Sequence, residues 1–117
     1  MVVTMDNAEK FKPGPSLGVL LTAYMRKARS APKRGWRRVF VVLTTDSISW
    51  FERNEGSAFF GQLRRTVLLT DISEVVEMPD PEGRKFEIKV ASGKRRRFQA
   101  ETAEARGTWV AALEQVR

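Results

Sequence analysis

The side chains best suited to chemistry in this chain lie in two basic runs. "MRKARSAPKRGWRR" supplies Arg26, Lys27, Arg29, Lys33, Arg34, Arg37 and Arg38, and "KRRR" supplies Lys94, Arg95, Arg96 and Arg97. A guanidinium offers two parallel N–H donors to phosphate or carboxylate oxygens, and clustered cations build a potential that draws in polyanions. That chemistry is recognition rather than catalysis. The chain has neither cysteine nor histidine, so it lacks a thiolate nucleophile, the commonest general base and the usual sulfur and nitrogen metal ligands. The carboxylates Asp71, Glu74, Glu77 and Asp80 are scattered through strand and turn signals, without the pairing that acid–base catalysis needs, and read as solvated surface. No catalytic residue, cofactor or metal is expected.

Composition agrees with this reading. At 117 residues the chain suits one domain with a modest core, and 42% hydrophobic residues argue against wholesale disorder. Lys and Arg number 21 against 14 Asp and Glu, a net charge of +7. That balance favours anionic partners: lipid phosphates, nucleic acid or an acidic protein face. No segment reaches the roughly 18 apolar residues of a membrane span. The opening "MVVTMDNAEKFK" lacks the basic-then-apolar order of a signal peptide, so a cytoplasmic protein is expected.

The elements that must position the two basic runs follow from periodicity and punctuation. Residues 1–16 end in "FKPGPS" and read as a flexible tail. "GVLLTAYM" is a first strand to about Met25, "ARSAPKRG" a loop, "WRRVFVVLTT" a second strand and "ISWFER" a third. "NEGSAFFG" is a loop, and "QLRRTVLL" and "SEVVEM" are short strands. "PDPEG" is a turn, "RKFEIKVA" alternates apolar and charged positions, and "KRRRFQAE" closes the β region. In the second strand, period two places Arg37, Val39, Val41 and Leu43 on one face and Trp36, Arg38, Phe40 and Val42 on the other. About seven short strands at close spacing point to a sandwich or barrel. "TAEARGTWVAALEQVR" then switches to helical spacing. Ala105, Trp109, Ala112, Leu113 and Val116 share a stripe, Thr102 is placed to cap, and Gly107 costs ~1 kcal/mol relative to Ala.

Strands first, then one helix bearing a central Trp109, resembles the pleckstrin homology (PH) family. "GVLL" is similar to its opening strand, Trp36-Arg37 followed by "FVVLT" to its second, "SISWF" to its third, and "RRRFQAETAEARGTWVAALEQV" to its last strand and helix. The similarity covers about residues 17–117. It implies a mainly β fold: a seven-stranded, partly open barrel of two nearly orthogonal antiparallel sheets, capped by one C-terminal α-helix. The family's lipid-binding pattern is a lysine in the first strand, then a basic residue, any residue and an arginine in the second. Thr22 stands where the lysine is found, Arg37 matches the first basic position, and Val39 replaces the arginine.

The resemblance also implies that the loops after the first, third and sixth strands surround the open end of the barrel. Arg26, Lys27, Arg29, Lys33 and Arg34 would then meet Lys94 to Arg97 on one rim, with Arg37 and Arg38 beside them. Phe59 and Phe60 fall in the remaining rim loop, where they either insert into a membrane surface or begin the fourth strand and pack in the core. The expected function is a non-enzymatic module that binds anionic membrane phospholipids, phosphoinositides among them, largely by electrostatics, and so sits peripherally on membranes. The alternative is an adaptor that binds a protein partner, or the rest of a larger protein, with little specific lipid binding. Nucleic acid is disfavoured, because the order of seven strands then a helix suits the usual oligonucleotide-binding barrels poorly.

Overall fold

The computed structural model describes residues 3–4, 18–30, 33–52 and 62–117. The apolar runs of the sequence form strands β2 (Val19–Ala28), β3 (Trp36–Thr44), β4 (Ser47–Glu52), β5 (Gln62–Leu68), β6 (Ile72–Glu77), β7 (Lys85–Val90) and β8 (Arg95–Gln99). A two-residue β1 (Val3–Thr4) pairs in parallel with β2, and helix α1 (Ala103–Val116) ends the chain. The seven expected strands and the single helix are all present. The hydrogen-bonded order is β5-β4-β3-β2-β8-β7-β6, and every neighbouring pair on that path is antiparallel. The two halves of this path join at a narrow seam, where Arg26 and Lys27 of β2 pair with Gln99 and Phe98 of β8.

Side-chain alternation builds the core. Leu21, Ala23 and Met25 of β2, and Val39, Val41 and Leu43 of β3, turn to the same interior. Ile48 and Trp50 of β4, Val67 of β5, Phe86 and Ile88 of β7, and Phe98 of β8 join them there. Phe86 and Phe98 stack with centroids 5.4 Å apart, and Trp50 meets Phe98 edge-on at 5.3 Å. The other face of β2 and β3 carries a smaller apolar cluster of Val19, Tyr24, Phe40 and Val42, with Phe51 packed against it. Gly18 makes the close approach that starts β2. Its φ is +60°, and a Cβ there would lie 2.9 Å from the Thr45 hydroxyl oxygen.

Helix α1 covers the interior as its spacing predicts. Thr102 Oγ1 accepts the Ala105 N–H at 3.0 Å, and Trp109 and Leu113 are buried in the core. Arg106 ties the helix to the β6–β7 turn by donating to the carbonyls of Met78 and Lys85 at 3.1 and 3.3 Å. Asp80, read from sequence as solvated surface, instead organises this turn. Its carboxylate accepts the N–H groups of Arg84 and Lys85, both at 3.2 Å, and lies 3.7 Å from Arg106. Because Trp109 is 1% exposed and fills the end of the core, Trp109→Ala is expected to cost ~3–5 kcal/mol, read from the urea midpoint of the intact chain.

Candidate anion-binding basin

The interior alternation does not stop where the apolar residues stop. One step beyond Met25 on the inward face of β2 is Lys27, and one step beyond Val39 on β3 is Arg37; the two are direct partners across the ladder. One step from Phe98 on β8 is Arg96, and one step from Val67 on β5 is Arg65, itself the partner of Trp50. Four strands thus bring one cation each to the same open end of the barrel. Trp50 forms the floor between them: Lys27 Nζ lies 5.3 Å from its ring centroid and the Arg96 guanidinium 6.0 Å.

Two clefts open on this group. One, of about 290 Å³, runs between the β2–β3 hairpin and β5 and is lined by Lys27, Arg29, Lys33, Arg37, Arg64, Arg65 and Arg96 over Trp50. The other, of about 460 Å³, runs between the hairpin and the β7–β8 turn, with Lys27 and Arg29 facing Lys94, Arg95, Arg96 and Arg97. The hairpin is closed by the Arg29 N–H donating to the Gly35 carbonyl at 2.9 Å, and Gly35 takes φ +90°, which favours glycine.

Counter-charge is scarce. Glu52 serves Arg37 at 3.4 Å and Arg64 at 3.1 Å. Among the described residues no carboxylate pairs with Lys27, Arg65 or Arg96. Lys27 is 3% exposed, and its ammonium donates to its neighbour's carbonyl, Ala28 O, at 2.9 Å. Burial, then the positive charges of Arg96, Arg37 and Arg65, pull its pKa down to about 8. Burial and Arg65 likewise lower the pKa of Arg96. The Nε atoms of Arg37 and Arg96 are buried without a hydrogen-bond partner. Donors converge here on a partly desolvated space that holds few acceptors among the described residues, an arrangement with the chemistry to take up an anion.

The residues expected from sequence divide by face. Lys27, Arg29, Lys33, Arg37 and Lys94 to Arg97 border the basin. Arg26 and Arg38, partners on the opposite face of the hairpin, point away from it; the Arg38 guanidinium lies 4.7 Å from the Tyr24 ring. They border a separate cleft of about 200 Å³ beside Arg84 and Glu101. Arg34 is exposed at the hairpin tip. Phe59 and Phe60 lie outside the described residues. Thr22, matched by resemblance to the first-strand lysine, is fully buried opposite Val42, whereas β2 runs on past Met25 and delivers Lys27 to the rim opposite Arg37. Val39 is buried in the core, so no second arginine of β3 enters the basin. Sequence reasoning missed Trp50, Arg64 and Arg65. The doublet in "QLRRTVLL" was a signal, since counting back from a buried Val67 turns Arg65 inward.

The PH domain model matches residues 18–117. The PH domain of Slm1, solved in complex with inositol-4-phosphate, superposes with a TM-score of 0.69 at 16% identity, over 85% of this chain and 96% of that one. The N-terminal PH domain of human ARAP2 superposes at 0.66 and 24% identity, over 91% and 84%. The linker-DH/PH fragment of p115-RhoGEF gives 0.69 and 16%, covering 86% of this chain, which spans only 29% of that one. No curated protein sequence matches. At these identities the superpositions show the fold, while the family model covers nearly the whole described barrel and its helix: the chain belongs to the PH domain family.

Proposed function

We propose that this domain binds phosphorylated head groups of anionic membrane lipids, phosphoinositides in particular, at the mouth of its barrel, and so attaches peripherally to membranes. The observation that carries the reading is the set of Lys27, Arg65 and Arg96, converging from three strands without a carboxylate partner among the described residues. The Slm1 neighbour, solved with an inositol phosphate, supports the same ligand class. Arg37 and the cations of Lys94 to Arg97 add long-range attraction, about 1 kcal/mol per basic residue near an anionic surface. Val39 in place of a further arginine leaves recognition resting more on summed charge than on a fixed set of contacts. Among the described residues no helix is long and apolar enough to cross a membrane.

Co-sedimentation with vesicles, with and without phosphoinositide, at low and at physiological salt, tests this. Binding should require the phosphoinositide and weaken as salt rises. Arg96→Glu changes the basin by two charges and should weaken binding by roughly 30-fold. Equal binding to phosphatidylserine vesicles would reduce the site to surface attraction. Absence of binding at low salt would leave the protein-adaptor reading, in which the same basin meets an acidic protein face.

The basin is maintained at a cost to folding, which gives a second prediction. Lys27→Met keeps an unbranched chain one atom shorter and removes a buried, repelled charge. It should raise stability at neutral pH by about 1–3 kcal/mol while weakening vesicle binding. The sign follows from linkage. The lysine of the folded chain titrates near 8, below its ordinary 10.5, so the unfolded chain holds more protons between these values. Wild-type stability therefore rises across that window, and the advantage of the Met variant should shrink as pH climbs from 8 towards 10, as urea midpoints at several pH values will show.

A further inference from the structure

The charged groups lining the basin around Lys27 are positive on β2, β3, β5 and β8. Arg29 follows on β2, Arg37 stands across the ladder on β3, Arg64 and Arg65 approach from β5, Arg96 from β8, and Lys33 from the hairpin. Among the described residues the carboxylate nearest this group is Glu52, at the end of β4, and it is already divided between Arg37 and Arg64. The arginines remain charged across the physiological range, and of the two lysines Lys33 is solvent-exposed while Lys27 is 3% exposed and crowded by cations, so Lys27 is the member placed to shed a proton. Its ammonium has a backbone carbonyl on one side and the Trp50 ring below, and the remaining side opens on the basin. An anion entering there offsets the repulsion from Arg37, Arg65 and Arg96 and gives the ammonium an acceptor oxygen.

Resting on the reading that the basin holds a phosphorylated anion, we propose that ligand binding is coupled to protonation of Lys27: the occupied site takes up a proton from solvent at Nζ, and affinity falls as the solution becomes mildly alkaline. The coupling is reciprocal, so whatever favours the ammonium favours the ligand. In the empty site the lysine titrates near 8. The bound anion moves that titration back towards the ordinary lysine range, and between the two values binding consumes up to one proton. Affinity then drops by up to roughly tenfold per pH unit across that window. The sign is opposite to that set by the ligand, whose phosphate monoesters gain charge as pH rises through about 6 and so favour binding.

The test uses a probe that carries no titrating group of its own, myo-inositol hexakissulfate, in isothermal titration calorimetry of the whole chain. Titrations at about pH 8.5 in HEPES and in Tris, buffers of different ionisation enthalpy, give the protons exchanged on binding. The wild type should take up between half a proton and one proton, and its affinity should fall from pH 7.5 to pH 9.5. Lys27→Arg keeps the charge but cannot titrate in this range; it should bind the probe with a flat pH profile and no proton uptake. Wild-type binding without proton exchange would overturn the coupling while leaving the basin as an anion site. The same uptake by Lys27→Arg would move the proton to another group and overturn the assignment. No binding by the wild type at low salt and pH 7 would overturn the anion-binding reading and this proposal with it.

Discussion

The pleat of a β-strand is the constraint on which the site depends. Side chains alternate faces, so a strand that lines an apolar core must present its next inward residue to whatever lies beyond that core. In β2, β3, β5 and β8 that next residue is Lys27, Arg37, Arg65 or Arg96. The backbone registers of four strands hold these cations together against their mutual repulsion, and the packing of Leu21, Val39, Val67 and Phe98 one or more steps below holds the registers. The backbone positions of these cations are therefore set by the core.

Trp50 links the two layers. Trp50 is 1% exposed and packs edge-on against Phe98 in the core, while Lys27 and Arg96 lie 5.3 and 6.0 Å from its ring centroid. The negative face of an aromatic ring is a partial substitute for a counter-ion. It eases the crowding without neutralising it, as the depressed titration of Lys27 and the unpaired Nε atoms of Arg37 and Arg96 show. At the edge of the basin Arg97 pairs with Glu87, and away from it Lys89 pairs with Glu74 and Arg106 with Glu77 and Asp80.

Much of the fold was legible before any coordinates. Alternation in "RKFEIKVA", the "PDPEG" turn and the helical spacing through Trp109 each correspond to an observed element, because each is a local pattern. The basin was legible only in part. Arg37 and Lys94 to Arg97 were recognised as rim cations, yet their division between faces follows from registers that span distant residues. Lys27 looked like a loop residue because β2 extends past Met25 to Ala28 on pairings with β3 and β8. Arg26 was grouped with it, though adjacent strand residues face opposite ways. Arg65 follows from alternation two residues before Val67, whereas Arg64 escaped because the β4–β5 ladder shifts register between Trp50 and Phe51, and an irregularity of that kind leaves no composition signal.

The central claim is that the cation group at the mouth is strained while empty and relieved by an anion. Thermal unfolding of the intact chain at fixed ionic strength, with increasing inositol hexakisphosphate, tests it most directly. The account predicts that the midpoint climbs by several degrees in the wild type as ligand exceeds its dissociation constant, and stays nearly constant in an Arg65→Leu, Arg96→Leu double variant. A wild-type midpoint indifferent to the ligand, or an equal rise in the double variant, would contradict it.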